Sequence, residues 1–130
     1  MTHEFSVRVY YEDTDLAGIV YYANYLKFIE RARSTMVRET GIDQDAMKDA
    51  DGLVFAVRHV DATYLKPAKL DDELVIATKL QQLSGAKLLF EQDVMRGGKM
   101  LFSSKITVIC MNSAGRVVRL PAEIRAQLAL

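Results

Sequence analysis

The sequence predicts an α+β domain in which a five-stranded antiparallel sheet wraps around one long helix. Apolar residues alternate with period two near the N-terminus and again after Gly52, whereas between about residues 24 and 40 they follow a helical period. Glycine and proline separate the later strands. We treat residues 1–130 as one domain, because 130 residues that are 50% hydrophobic can bury a core without disulfides.

The first predicted strand leads into an acidic loop. Residues 5–11 alternate apolar and other side chains, which is typical of a half-buried strand. The loop contains Asp13, Asp15 and Gly18 and stands directly before the long helix. A carboxylate at this place lies near the free N–H groups of a helix start, which stabilise negative charge on a carbonyl oxygen. Acyl transfer requires this pairing.

The long helix is predicted from about Asn24 to Thr40. Asn24 suits the N-cap position, and Gly41 suits the residue that ends the helix. Residues 43–51 are acidic and poor in apolar side chains, so we expect one short helical turn or a mobile connection there. The apolar stripe of the long helix consists of Tyr25, Ile29, Ala32 and Met36.

Four more strands complete the predicted sheet, at about 53–65, 73–82, 86–96 and 99–111. The two-residue gap Gly97-Gly98 suits a hairpin turn, so the last two strands should be antiparallel neighbours. The strand at 53–65 carries apolar residues on both faces, which is more than the core of a single chain needs. Because exposed strand edges also favour pairing between chains, we expect an oligomer.

Charge and cysteine content exclude several classes of partner. The chain has 17 Lys and Arg against 17 Asp and Glu, so no net field attracts it to nucleic acid or to an anionic membrane. Cys110 is the single cysteine, which excludes an internal disulfide and fits a reducing compartment. The N-terminus has no signal pattern, and no apolar run approaches the ~18 residues of a membrane span. We expect a cytoplasmic protein without membrane insertion.

Other readings of the acidic loop are open to test. Asp13, Asp15 and Gly18 occupy three positions of a calcium-loop pattern, but Ala17 and Asn24 stand where it needs ligands, so we predict no metal. Spacing alone allows Asp15 to be either a catalytic acid or a turn carboxylate that only accepts nearby N–H groups. Asp13 is the more structural of the two acids.

Nucleophilic catalysis by serine or cysteine is disfavoured. Such mechanisms need a histidine base, and His59 lies in the middle of a predicted strand beside Arg58. We expect a structural role for His59. Cys110 falls on the apolar face of the last strand, where a cysteine acts as a small hydrophobic residue.

The loop and helix start carry a family motif. Residues 11–25 read Tyr-x-x-Thr-Asp-x-x-Gly-Ile-Val-Tyr-x-x-Asn-Tyr. This pattern resembles the hotdog-fold acyl-CoA thioesterases of the 4-hydroxybenzoyl-CoA and YbgC (Tol–Pal-associated) type, and the similarity continues through residues 28–33 and 64–73. The resemblance implies a hotdog monomer, a dimer with a continuous sheet, often a dimer of dimers, and active sites at the dimer interface. It implies no metal and no bound cofactor.

The resemblance also assigns roles to individual residues. The family's catalytic acid falls on Asp15, as nucleophile or general base, and the amides that hold the thioester carbonyl fall near Tyr22 and Ala23. Tyr22 stands where related enzymes often have His, so Asp15 with water, or a hydrogen bond from Tyr22, takes the place of a histidine-assisted step. The other expected contacts are Gly18, Val20, Ala23 and Asn24 for substrate, and Arg58 and Lys87 for the phosphates of CoA.

The predicted function is hydrolysis of an acyl-CoA thioester to a free carboxylic acid and CoA. The alternative is a non-catalytic hotdog module that binds acyl-CoA, acyl carrier protein or an envelope-associated partner. A hotdog dehydratase is a third class, but it usually needs a catalytic histidine, and the motif places none near the loop. The sequence leaves open the acyl group, the thiol carrier and the choice between dimer and tetramer.

Overall fold

A computed structural model describes residues 2–129 of the protein and shows five strands, three α-helices and a 3₁₀ turn at Tyr11–Asp13, so the first strand ends earlier than predicted. In the sheet, strands that follow one another along the chain are not always neighbours. The strands are β1 (His3–Arg8), β2 (Val54–Tyr64), β3 (Glu73–Ser84), β4 (Lys87–Arg96) and β5 (Lys99–Met111). The helices are α1 (Asn24–Glu39), α2 (Gln44–Asp51) and α3 (Ala122–Leu128).

The strands form a single sheet in the order β1-β3-β4-β5-β2, and every neighbouring pair is antiparallel. The predicted α+β class with a five-stranded antiparallel sheet is therefore confirmed. The Gly97-Gly98 hairpin is also confirmed, because both glycines have positive φ (54° and 83°) between the paired residues Arg96 and Lys99. β1 and β2 form the two edges, and β2 is the longer.

Helix α1 contributes one side of the hydrophobic core. Tyr25, Phe28 and Ile29 of this helix are almost fully buried and belong to the same cluster as Phe90 of β4 and Phe102 of β5. Burial of a side chain of this size stabilises the fold by about 1.5–3 kcal/mol. These contacts fix α1 against the sheet, and they therefore also fix the position of its N-terminus.

The start of α1 differs from the prediction. Asn24 is not the N-cap but the first helical residue, and Ala23 occupies the cap position without a side-chain hydrogen bond. The Asn24 side chain is buried, and its Nδ2 donates to the carbonyl of Asp13 at 2.9 Å. Asn24 therefore supports the acidic loop instead of capping the helix. At the other end, Gly41 has φ of 96° and follows the last turn, as predicted.

The structure contains more helix after α1 than the sequence predicts. Residues 44–51 form the two-turn helix α2, because Asp43 Oδ1 accepts from Ala46 N at 3.1 Å and Gly52 ends the helix in the left-handed conformation. Helix α3 was not predicted, although Pro121, which stands immediately before its first residue, favours a helix start. Seven residues are too few for a periodic pattern to be recognised.

The predicted alternation of β5 fails at its beginning. Leu101 and Phe102 are both buried, whereas Met100 is exposed. The register between β4 and β5 shifts between Val94 and Met95, which matches the local change of facing that a β-bulge produces. The bulge was not visible in the sequence, because it depends on the pairing of two strands.

A buried polar network connects α1 to the sheet. Arg33 Nη1 donates to Gln92 Oε1 at 2.8 Å, and Gln92 Nε2 donates to the carbonyl of Ile29 at 2.8 Å and to Thr78 Oγ1 at 2.9 Å. Burial lowers the pKa of Arg33, an effect that nearby Glu30 opposes. Gln92 therefore supplies the acceptor that this desolvated guanidinium needs.

Replacing Gln92 with Leu should destabilise the protein, because Arg33 Nη1 and Thr78 would lose their buried partner. We expect the free energy of unfolding to fall by about 2–4 kcal/mol, measured by urea denaturation. Gln82→Leu, at an exposed position of β3, is the matched control and should change it by less than about 0.5 kcal/mol. Equal midpoints for Gln92→Leu and wild type would contradict a stabilising role of the network.

Candidate active site

Asp13 organises the acidic loop from within. Its side chain is buried, and its Oδ2 accepts from Tyr10 N at 2.8 Å. Its carbonyl accepts from Tyr21 N at 2.9 Å and from the Asn24 side chain at 2.9 Å. These bonds tie the end of β1, the loop and the helix start together, which is the structural role expected of Asp13.

Asp15 stands on a tight turn that is closed on both sides. Its N–H donates to the carbonyl of Ile19 at 2.9 Å, and its carbonyl accepts from Gly18 N at 3.0 Å. Gly18 has φ of 79°, in the left-handed region that favours glycine. The Asp15 side chain is exposed, and its Oδ1 accepts from Ala17 N at 2.9 Å. Within residues 2–129 no donor reaches Oδ2, so this oxygen is available to a ligand.

The connection between β2 and β3 is hydrogen-bonded to the acidic loop. Val20 N donates to the carbonyl of Ala68 at 2.9 Å, and Ile19 forms a β-bridge with Lys69. Ala68 N donates to the hydroxyl of Tyr25 at 3.1 Å. Burial raises the pKa of Tyr25, so this phenol stays protonated at neutral pH. The acidic loop is thus attached to the core through Ala68 and Tyr25.

An ion pair links the β2–β3 connection to the end of β4. Arg96 Nη1 donates to Asp72 Oδ2 at 2.7 Å and to the carbonyl of Pro67 at 3.3 Å, and Asp72 Oδ2 also accepts from Lys69 N at 2.8 Å. Partial burial opposes ionisation of Asp72, but the Lys69 amide and the Arg96 guanidinium outweigh this effect and lower its pKa. The Arg96 guanidinium is therefore paired with Asp72 in this structure.

A cleft of about 430 Å³ opens beside the acidic loop and the start of α1. Its wall is largely aromatic, because tyrosines of the loop, of α1 and of β2 meet there. The ring centroids of Tyr21 and Tyr22 are 4.9 Å apart, and those of Tyr22 and Tyr64 are 6.2 Å apart. The residues around the cleft include Asp15, Val20, Tyr22, Tyr64, Leu65 and Lys66.

Two backbone amides at the start of α1 are free. Neither Tyr22 N nor Ala23 N donates a hydrogen bond to any group in the described part of the chain. The next amide, Asn24 N, donates to the carbonyl of Tyr21 at 2.8 Å. Free amides at a helix N-terminus attract negative charge. The site therefore combines an accessible carboxylate oxygen with unpaired N–H donors.

The structure brings three of the eight predicted site residues to one cleft. Asp15, Val20 and Tyr22 line the cleft, and Ala23 follows Tyr22 with its amide free. Gly18 shapes the turn and does not line the cleft. Asn24 is not available to a substrate in this structure, because it is buried and bonded to Asp13.

The two cations selected for CoA lie away from the cleft of their own chain. Lys87 begins β4, nine residues before Arg96, which places it roughly 30 Å along the strand from the Asp72 ion pair. Arg58 is exposed at the register shift of β2, roughly 20 Å from Tyr64 at the end of that strand. Lys66, another of the basic residues in the sequence, lines the cleft. The choice of Arg58 and Lys87 is therefore not supported within one chain.

The remaining reactive groups lie elsewhere or are buried. Cys110 is buried, and its burial raises the pKa of the thiol, in agreement with the predicted hydrophobic role. In residues 2–129 no three His, Cys, Asp or Glu side chains are grouped so that they could hold a metal ion. None of the described helices is both long enough and apolar enough to cross a membrane.

Comparisons with known proteins agree with this architecture. The model of the thioesterase-like superfamily matches residues 9–128. The acyl-CoA thioesterase YbgC of Haemophilus influenzae is 41% identical over 123 residues, covering 94% of this chain and 90% of that protein. The structure of a probable thioesterase from Bartonella henselae is 38% identical with a TM-score of 0.87, covering 93% of this chain and 100% of the other.

A more distant structure has the same fold. A mutant 4-hydroxybenzoyl-CoA thioesterase, solved with 4-hydroxybenzoyl-CoA, superposes with a TM-score of 0.92 at 20% identity, covering 98% of this chain and 99% of the other. The hotdog fold is therefore confirmed. The chain belongs to the thioesterase-like superfamily and, within it, to the family of YbgC-type acyl-CoA thioesterases.

The Asp72–Arg96 ion pair should make the stability of the protein depend on pH. Because its folded-state pKa is lowered, ionised Asp72 stabilises the protein above its unfolded pKa of about 3.9, and this stability is lost as pH falls through the folded value. Asp72→Asn should therefore lower the free energy of unfolding by about 1–2 kcal/mol at pH 7 and by much less near pH 3. Thermal unfolding between these pH values measures the difference.

Asp71→Asn is the matched control, because Asp71 is an exposed neighbour and Arg8 binds its carbonyl instead of its side chain. The control should follow the wild-type pH profile. A loss in Asp72→Asn that is constant between pH 3 and pH 7 would contradict the ion-pair explanation.

Proposed function

We propose that the chain hydrolyses an acyl-CoA thioester to a free carboxylic acid and CoA, with Asp15 as the reacting carboxylate. The observation that carries this proposal is that Asp15, with its unpaired Oδ2, and Tyr22 line one cleft, and that the amides of Tyr22 and the adjacent Ala23 are free. The YbgC protein of Haemophilus influenzae named above is an acyl-CoA thioesterase, which supports the choice of substrate class.

The proposed reaction has two possible first steps. In one, Asp15 Oδ2 attacks the thioester carbonyl carbon, the C–S bond breaks, CoA leaves as a thiolate, and water hydrolyses the mixed anhydride. In the other, Asp15 takes a proton from water, and the resulting hydroxide adds to the carbonyl before CoA leaves. In both, negative charge develops on the carbonyl oxygen, where the helix-start amides stabilise it.

The surroundings of the cleft suit an acyl-CoA. The aromatic wall around Tyr22 and Tyr64 offers apolar surface to the acyl group, and Lys66 offers a positive charge to a CoA phosphate. We assign Lys66 this role in place of Arg58 and Lys87. A cytoplasmic location is part of the proposal, since the single buried thiol of Cys110 fits a reducing compartment.

Asp15→Asn should reduce kcat for acyl-CoA hydrolysis by about 10²–10⁴-fold, because an amide is neither a base nor an effective nucleophile here. A panel of short, medium, long and aromatic acyl-CoAs, with released CoA quantified by chromatography, measures this effect. Glu12→Gln, an exposed acid three residues earlier, is the matched control and should retain wild-type kcat.

Binding separates catalysis from the alternative function. Asp15→Asn should bind a non-hydrolysable acyl-CoA thioether as the wild type does, measured by calorimetry. A wild type that binds the thioether but cleaves no acyl-CoA would favour the non-catalytic binding module. Full activity in Asp15→Asn would exclude Asp15 as the reacting group.

The assembly in this proposal is a homodimer formed through the edge strand β2. This strand pairs with β5 on one side, and Val57 and Val60 on it are 50% and 42% exposed. Two β2 edges joined antiparallel would continue the sheet across the dimer and cover these residues. Because Tyr64 and Leu65 lie at the end of β2 and line the cleft, the second chain would also border the active site.

Val60→Glu should convert the assembly to monomers, because a buried, unpaired carboxylate at the joined edges is costly. Light scattering coupled to size-exclusion chromatography measures the mass and also distinguishes a dimer from a dimer of dimers. Met100→Glu, at the exposed β4–β5 hairpin, is the control and should keep the wild-type mass. A wild type that is monomeric at micromolar concentration would contradict the proposed interface.

A further inference from the structure

Tyr64, a residue to which the sequence analysis gave no role, is held firmly beside the start of α1. It is the last residue of β2 and pairs with Phe102 of β5. Its ring meets Phe102 at a centroid distance of 5.0 Å and Tyr25 at 5.4 Å, both edge to face. Contacts of this geometry fix the orientation of an aromatic ring. The position of the Tyr64 hydroxyl is therefore determined by the core.

The Tyr64 hydroxyl donates to the carbonyl of Tyr22 at 2.8 Å. In the described part of the chain no backbone N–H from outside a regular helix or strand reaches this carbonyl, and no other side chain does. The residues of the bond are 42 positions apart in sequence. A strand on one side of the cleft is thus joined to the turn that begins the helix on the other.

This bond acts on the peptide group that carries the free Ala23 N–H. The protein has no cis peptide bonds, so the Tyr22 carbonyl and the Ala23 N–H point in opposite directions from one rigid plane. The preceding peptide plane is fixed differently, because the carbonyl of Tyr21 accepts from Asn24 N at 2.8 Å. The Tyr22 amide is therefore oriented by the backbone, and the Ala23 amide by a side chain.

We propose that Tyr64 is a positioning residue, whose hydroxyl orients the Tyr22–Ala23 peptide so that the helix-start amides converge on the developing oxyanion. This inference rests on the proposed function, since it deepens the role of the same amides. Tyr64 touches no reacting atom in it. The Tyr64 hydroxyl acts by fixing the Tyr22–Ala23 peptide plane, and the direction of the Ala23 N–H depends on that plane.

The bond also strengthens the amide as a donor. A hydrogen bond to a carbonyl polarises the peptide and makes its N–H a better donor, an effect of cooperative chains. Burial raises the pKa of Tyr64, and the phenols of Tyr22 and Tyr25 add to the increase. The Tyr64 hydroxyl is consequently protonated throughout the neutral range and remains available as a donor.

Tyr64→Phe is the sharpest test, because it removes the hydroxyl and leaves the ring contacts with Tyr25 and Phe102. We expect kcat to fall by about 5–30-fold, less than the 10²–10³-fold cost of removing an oxyanion donor, with KM nearly unchanged. Tyr11→Phe, an exposed tyrosine outside the cleft, is the matched control and should retain wild-type kcat and KM. Thermal unfolding establishes that both variants are folded.

The split between kcat and KM decides the inference. Wild-type kcat in folded Tyr64→Phe would overturn it, and so would an increased KM at unchanged kcat, which would assign the hydroxyl to substrate binding instead of to the oxyanion site. Tyr64→Leu removes the ring as well and should lose thermal stability in addition to kcat. Asp15→Asn is measured alongside: if it remains fully active, the proposed function fails and this inference fails with it, whereas a Tyr64→Phe result alone leaves Asp15 catalysis intact.

Discussion

The two hydrogen bonds of the Ala68 backbone hold the functional half of the molecule together. Its carbonyl accepts from Val20 in the acidic loop, and its N–H donates to the Tyr25 hydroxyl on α1. Ala68 is fully buried, so neither bond competes with water. The loop that carries Asp15, the helix with the free amides and the β2–β3 connection are therefore fixed relative to one another by one peptide segment.

The reactive side chain is exposed to solvent, although its backbone is held rigidly. The carboxylate of Asp15 is exposed, yet its backbone is bonded to Ile19 and Gly18, and its Oδ1 to Ala17. A group held in this way loses little conformational freedom when it meets a substrate, which is the condition for effective positioning. The aromatic contacts of Tyr64 and the Asp72–Arg96 ion pair support the same region from β2 and β4. The Asp15 carboxylate thus lies on a surface loop, and contacts between that loop and the core fix its position.

Local sequence was sufficient wherever the determining interactions are local. The period of apolar residues defined α1 and the strands, and Gly97-Gly98 defined their hairpin. It was insufficient where two distant segments decide the outcome. The β-bulge at Leu101 turns Met100 away from the core, and the contact with Asp13 takes Asn24 away from the cap position. The local sequence around either residue of such a contact does not indicate its distant partner.

The same distinction applies to the candidate site. The sequence by itself determined the acidic loop and the family, because both lie within one continuous motif of fifteen residues, 11–25. The tertiary structure alone decided that Lys66 and Tyr64 reach the cleft, that Arg96 is bound to Asp72, and that Lys87 lies far away. The physical reason is that strand order and register set these distances, and both result from burial of the whole sheet rather than from any single segment.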